Sequence, residues 1–377
     1  MSLLRLWAIA RKEFIHVLRD PRSLGMGLGM PVVLLLLFGY ALTLDVDHVP
    51  TAVWDQSKTE ASRDFLSRFQ GSRYFTLRQQ VDSYRALERE IDTGHALAAL
   101  VVPSDFADRI QSRRSAQVQL IVDGSDPNTA TIAMGYAEVL TQTYSQDLTL
   151  RGLQRSGAPK PRVPLEIRPR AWFNDDMQSR NYLVPGLVAV IMMIIAALLT
   201  SLTVAREWER GSMEQLISTP VKPIELVLGK LAPYFVIGML DVLLAVLMGK
   251  FLFGVPLRGS LTVLFGMAAV FLCGGLSLGL LISIVARNQM LANQLAMILT
   301  FVPAFLLSGL VFAITNMPHA IQVVTWFIPA QYFVTLLRGV YLKGVGLDVL
   351  SSEAGILAFF AIAMIALCTL KFKKKLA

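Results

Sequence analysis

Few residues in this 377-residue chain have both the type and the spacing that chemistry requires. Gly275-Leu276-Ser277-Leu278-Gly279 has the G-x-S-x-G spacing of a nucleophile elbow, which would make it an acyl-transfer site. Such a serine needs a strand-to-helix turn with a histidine and an acid nearby. This one sits in a long apolar run, where small residues let helices approach closely, and packing is the better reading. The four histidines, His16, His48, His95 and His319, are far apart and lack metal-ligand spacing. Asp123-Gly124-Ser125-Asp126 lacks the glutamate and spacing of a calcium loop and reads as a turn after a strand. No G-x-x-x-x-G-K-[ST] occurs, and Gly229-Lys230 and Gly249-Lys250 lack the upstream glycine that cradles phosphates. The expectation is a chain with no catalytic residue, no metal and no cofactor of its own.

Two polar features remain. Asp241 is the acidic residue inside an apolar run, where hydrocarbon would cost it about 3 kcal/mol or more unless it is paired or hydrated. It could meet a cationic substrate or a coupled proton. It could instead be hydrogen-bonded to a neighbouring helix, and that structural reading is preferred. The second feature is the charged segment 205–222 between two apolar runs. It reads as a charged turn, a break at Gly211-Ser212, a short helix through Ile217 and a Thr219-Pro220 stop. Ser212 is expected to cap that helix, with Glu214 and Gln215 in its first turn. A short rigid helix there could receive force from a soluble partner. A plain polar connection fits the spacing equally well.

The elements that must position these residues are set by composition. Hydrophobic residues make up 54% of the chain and charged residues 16%, too apolar for a soluble domain that needs a polar outer layer. The apolar residues fall in uncharged runs of membrane-spanning length. Spans are expected at 24–44, 182–205, 226–249, 259–286, 290–312 and 354–370, and a helix or re-entrant hairpin at about 313–345, where Pro318 and Pro329 interrupt the run. Residues 1–22 read as a basic amphipathic helix in the membrane interface, with Leu4, Trp7, Phe14, Ile15 and Leu18 near one face. It does not resemble a cleavable signal peptide.

The net charge of +8 does not indicate nucleic acid. Residues 45–181 carry 17 Lys+Arg against 18 Asp+Glu, and the excess elsewhere flanks the spans. Arg5, Lys12, Arg206, Lys222, Arg287 and the terminal Lys371, Lys373, Lys374 and Lys375 lie at one set of ends. That bias puts both termini in the cytoplasm. The polar region 45–178 is then extracytoplasmic. Short strands at 51–54, 98–102 and 118–122 alternate there with helical patterns at 58–70, 80–93, 104–113 and 128–152, which suggests a small layered α/β domain. The two cysteines, Cys273 and Cys368, fall in apolar runs, so that domain was not built on disulfides. The fold class expected is a polytopic α-helical membrane protein of about six spans. Its α/β domain is inserted between spans one (23–44) and two, and the segment 179–377 holds the rest.

The charged segment resembles the signature of ABC-2 family transport permeases, which commonly read E-x-E-x-G-T-x-E-x-L-x-x-T-P followed by G-K at the next span. Glu207, Glu209, Gly211, Glu214, Leu216, Thr219, Pro220, Gly229 and Lys230 match, and Ser212 stands where threonine is usual. Arg11-Lys12-Glu13, Asp20-Pro21, Asn316-Met317-Pro318, Pro329, Tyr332-Phe333 and Arg338-Gly339 are also similar to the family. The resemblance implies that Glu207, Glu209, Arg210, Gly211, Ser212, Glu214, Leu216, Thr219 and Pro220 form a coupling region that docks on a separate ABC ATPase subunit. ATP would be bound there and not on this chain. It further implies a second permease copy or paralogue, an inner-membrane location and alternating access. The cargo would be a hydrophobic or amphipathic substrate such as a drug. The external domain would seal the exit or receive a periplasmic adaptor. The alternative is a membrane-anchored sensor or scaffold, against which the size of the membrane portion counts.

Overall fold

The computed structural model describes residues 2–41, 47–112, 114–155, 172–174 and 178–372. The proline-rich stretch at 159–169 and Lys373, Lys374 and Lys375 lie outside the described residues. The chain divides into two compact units, Met1–Leu44 with Arg170–Ala377, and Asp45–Pro169.

In the first unit, α1 (Leu3–Leu18) buries Ile9, Ala10, Glu13 and Val17. Its apolar stripe at Leu4, Trp7, Phe14, Ile15 and Leu18 points the other way and stays exposed. An apolar face with no protein against it is what a helix lying in the lipid interface requires. α2 (Pro21–Leu24) passes through a π-turn at Gly25–Gly29 into α3 (Met30–Ala41). The apolar helix Gly25–Ala41 is shorter than the other membrane-span candidates. The span expected at 23–44 continues into residues outside the described ones.

The second unit is a four-stranded mixed sheet. β1 (Val49–Asp55) leads through α4 (Glu60–Gln70) to β2 (Phe75–Gln80), then through α5 (Tyr84–Asp92) to β3 (Ala98–Val102). α6 (Phe106–Gln111), β4 (Gln119–Val122) and the long α7 (Pro127–Arg155) follow. The strand order is β2-β1-β3-β4, with β1 parallel to both neighbours and β3 antiparallel to β4. Alternation divides each inner strand between two cores, as the pleat demands. Val49, Val53, Leu100 and Val102 pack with Phe65, Phe69 and Tyr144 on one face, and Ala52, Ala99 and Val101 pack with Leu87 on the other. β2 has no counterpart among the expected strands. Its sequence, FTLRQQ, turns polar and exposed beyond Leu77, as suits an edge strand, so hydrophobic alternation never declares it.

The rest of the first unit is helical. α8 (Ser179–Ser201) breaks at Leu202 and resumes as α9 (Thr203–Glu209), followed by the short α10 (Ser212–Ser218). α11 (Pro223–Leu247), α12 (Leu261–Ala286), α13 (Gln289–Ala296) and α14 (Val302–Leu307) come next, then α15 (His319–Thr325), α16 (Pro329–Arg338) and α17 (Ser351–Lys371). Among the described residues five helical stretches are long and apolar enough to cross a membrane: Ser179–Glu209, Pro223–Leu252, Leu261–Ala286, Gln289–Leu307 and Ser351–Lys371. The pair α15 and Pro329–Lys343, bent by 82°, makes six if counted as one span. α16 is no surface helix. It buries Phe333, Val334, Leu336 and Leu337, and Phe333 stacks on Phe271 of α12 at 4.1 Å.

α8 is the centre of this bundle. Of its most apolar window 83% is buried inside the protein, against 22% for Gln289–Leu307 and 17% for α17. α12 crosses α8 closely because its glycines permit it. A Cβ on Gly279 would overlap the Ala197 carbonyl oxygen, and one on Gly275 would press on Ala196. Thr200 Oγ1 donates to the Leu276 carbonyl at 2.7 Å across the same contact. The G-x-S-x-G spacing therefore lies in a helix crossing, with Ser277 donating to the Cys273 carbonyl of its own helix.

Candidate coupling site

Four charged side chains meet where α1, α9 and α11 come together. Lys230, on the first turns of α11, is only 2% exposed. Its Nζ lies 3.0 Å from Glu13 Oε1 of α1 and 2.8 Å from Glu207 Oε2 of α9. Lys12 Nζ reaches Glu207 Oε1 at 2.9 Å from the solvent side. Two carboxylates and two ammonium groups balance, which is the condition for burying charge. Burial works against the Lys12 ammonium. The Glu207 carboxylate, helped by Glu13, outweighs that and holds its pKa above the usual lysine value.

Backbone close to this node explains the Gly229-Lys230 pair. A Cβ on Gly229 would stand 2.8 Å from Ile9 Cγ2, so glycine is what lets α1 lie close on α11. With α1 at that depth, Glu13 reaches Lys230. The start of α1 is also held. The Ser2 backbone N–H donates to Glu225 Oε1 at 2.6 Å, while the other Glu225 oxygen accepts from the Lys222 N–H at 3.0 Å and closes the N-terminus of α11. Arg5 donates to the Pro220 carbonyl, and Arg206 of α9 pairs with Asp20 at 3.3 Å. The break at Leu202 has its own support. Ser283 Oγ on α12 accepts the Val204 and Ala205 N–H groups at 3.0 and 2.9 Å, two donors that the interrupted helix leaves open.

The residues that the family resemblance marks divide into two sets here. Glu207 is buried in the node and Leu216 packs on the bundle core. Glu209 turns to α13, accepting the Gln289 backbone N–H at 2.8 Å and a bond from the Gln289 side chain. A carboxylate at a helix N-terminus is favoured by the open N–H groups and the helix dipole. Ser212 does not cap α10. It is the first helical residue, and its Oγ donates to the Glu207 carbonyl at 3.4 Å. The capping position falls on Gly211, whose φ of +70° is the left-handed turn that separates α9 from α10 and favours glycine. The second set, Arg210, Glu214, Thr219 and Pro220, is exposed beside Gly211. Lys230 and Glu13 were legible as motif members but not as a pair, because 217 residues separate them.

Asp241 lies apart from this node on α11 and is 1% exposed. Neither carboxylate oxygen has a hydrogen-bond partner among the described residues. The hydrogen bond to a neighbouring helix, preferred from the sequence, is not formed among the described residues.

Apolar helices of spanning length around a charged, clamped end define a multi-pass membrane protein with one specialised face. A family model described as ABC-2 family transporter protein matches residues 21–370. In Escherichia coli K12 the protein named "Probable multidrug ABC transporter permease YbhS" is 38% identical over 377 residues, 100% of this chain and 98% of its own. "Probable multidrug ABC transporter permease YbhR" of the same organism is 32% identical over 349 residues, 92% of each chain. ABC transporter G family member 20 of Dictyostelium discoideum is 24% identical over 92% of this chain, which spans 47% of that protein. The chain belongs to the ABC-2 family of transporter proteins, as a permease of an ABC transporter.

Proposed function

We propose that this chain is the membrane-spanning subunit of an ATP-driven exporter of the bacterial inner membrane. It works with a separate ABC ATPase subunit and with a second copy of itself or a paralogue. Both termini and the end carrying α1, α9 and α10 face the cytoplasm, and the mixed-sheet unit faces outward. The cargo is hydrophobic or amphipathic, in keeping with the multidrug relatives. The sheet unit seals the exit or receives a periplasmic adaptor.

The buried Glu13–Lys230–Glu207 contact supports this reading best. An ATPase seated on the exposed Arg210, Glu214, Thr219 and Pro220 would move α10 and, through Gly211, α9. Glu207 would carry that motion to Lys230 and hence to α11, while Glu13 would carry it to α1. Three elements then move as one body, as alternating access between two arrangements requires. In this scheme Glu207, Glu209 and Leu216 are positioning residues inside the permease, and the exposed set makes the contact. Asp241 has no hydrogen-bond partner among the described residues and is buried, where it is open to a cationic group of the cargo, a coupled proton or the second subunit.

The test is co-purification from native membranes solubilised in mild detergent. Glu214→Lys combined with Arg210→Glu is expected to lose a soluble ATPase that the unaltered chain retains, with the permease still folded. Recovery of a folded unaltered chain without any ATPase would reject the scheme.

A further inference from the structure

A cavity of about 290 Å³ opens beside the charged node, between α1, the α8–α9 break and the middle of α11 at Tyr234. Its polar wall holds three carboxylates, Glu13, Asp20 and Glu207. Each is matched, since Lys230 binds Glu13 and Glu207, Lys12 binds Glu207, and Arg206 binds Asp20. Arg210 and the imidazole of His16 belong to the same lining. Both are exposed, and neither side chain has a hydrogen bond or ion pair among the described residues. The apolar part of the lining is made by Met26, Leu198, Leu199 and Leu202. The site therefore combines paired charges that hold its shape, an unpaired arginine and imidazole, and a greasy surface.

Its depth follows from α1. The outward stripe of that helix, with Trp7 66% and Leu18 55% exposed, belongs at the boundary of headgroups and acyl chains. A pocket between helices at that level that offers an unpaired guanidinium suits the headgroup of an acidic lipid. We propose that this cavity binds an anionic phospholipid, its phosphate held by Arg210 and His16 and its first acyl carbons on Met26, Leu198, Leu199 and Leu202. The lipid would bridge α1 to the turn between α9 and α10, so the membrane's acidic lipid content would set how firmly the coupling end is held. The proposal places the cavity at the inner leaflet, following the orientation argued above.

Native mass spectrometry of the purified full-length permease, without its ATPase, tests it. Phosphatidylglycerol and phosphatidylcholine are added in parallel, and lipids retained per chain are counted. Because no ATPase is present and both lipids reach either side of the micelle, the result does not depend on docking or orientation. The unaltered chain is expected to retain phosphatidylglycerol about tenfold over phosphatidylcholine, a difference of about 1.4 kcal/mol. Arg210→Gln with His16→Gln should abolish that preference at unchanged melting temperature, and Arg258→Gln with Lys343→Gln should leave it intact. Equal retention of phosphatidylglycerol by the Arg210/His16 variant would overturn the proposal. So would displacement by millimolar glycerol phosphate, which would make the site one for a soluble anion.

Discussion

Lys230 decides whether the node is a stabilising contact or a liability. Removing it leaves Glu13 and Glu207 buried with one half-exposed lysine between them, and breaking a buried pair costs about 3–5 kcal/mol. Lys230→Met should accordingly lower the melting temperature in detergent. Adding Glu13→Met restores charge balance, leaving the Lys12–Glu207 pair, and should recover at least about 1 kcal/mol of that loss. No recovery would mean that the two side chains do not act on one another. Lys12 contributes differently, because it is half exposed. Its pKa is raised, so its contribution is complete below the unfolded value of about 10.4 and is lost only as pH rises through the folded value. Asp241 should behave in the opposite sense to Lys230. With no hydrogen bond to lose, Asp241→Asn is expected to leave the melting temperature unchanged or higher. If the carboxylate serves transport, the same variant exports less; unchanged export by this well-folded variant would remove that role.

At the scale of elements, glycines determine which helices touch. Gly229→Val inserts atoms where Ile9 already stands 2.8 Å from the first added carbon, and overpacking of this kind costs about 1–3 kcal/mol. α1 should lift from α11, which limited proteolysis at Arg5 and Arg11 would report as faster cleavage. The helices themselves were legible, because an uncharged run of spanning length has few other fates in a chain this apolar. Their ends and partners were less so. The short helix after Gly211 was visible from its glycine and its Thr219-Pro220 stop, yet the capping role given to Ser212 was not, since a left-handed glycine already makes the turn. Glu209 read as a docking residue from motif spacing, whereas its partner Gln289 lies 80 positions on. β2 escaped because an exposed edge strand has no need of alternating apolar residues. Nonlocal pairing of this sort leaves no period in the sequence.

For the whole molecule, the two units make different demands. Residues 45–169 have their own two cores and no cysteine, so this fragment should fold alone as a soluble mixed α/β domain. Circular dichroism should show one cooperative unfolding transition, identical with and without reductant. A fragment that aggregates or lacks a transition would tie its folding to the membrane portion. The helical unit is not self-sufficient in the same way. Gln289–Leu307 and α17 leave Met297, Ile298, Phe359 and Ile362 uncovered, faces that lipid or a second permease must occupy.

The interruption at Leu202 has a kinetic consequence. A continuous helix from Ser179 to Glu209 would act as a rod and push along its length. In the proposed transport cycle the turn at Leu202 would make it a jointed lever, with the Ser283 hydroxyl as a catch on the joint. Releasing the catch would give up two hydrogen bonds of roughly 0.5–1.5 kcal/mol each, small enough to be crossed on every turnover of that proposed cycle yet large enough to give the joint a preferred angle. Such a catch would set the tempo of the proposed cycle more than its direction: weakening it would loosen the resting angle and shorten the wait before each stroke.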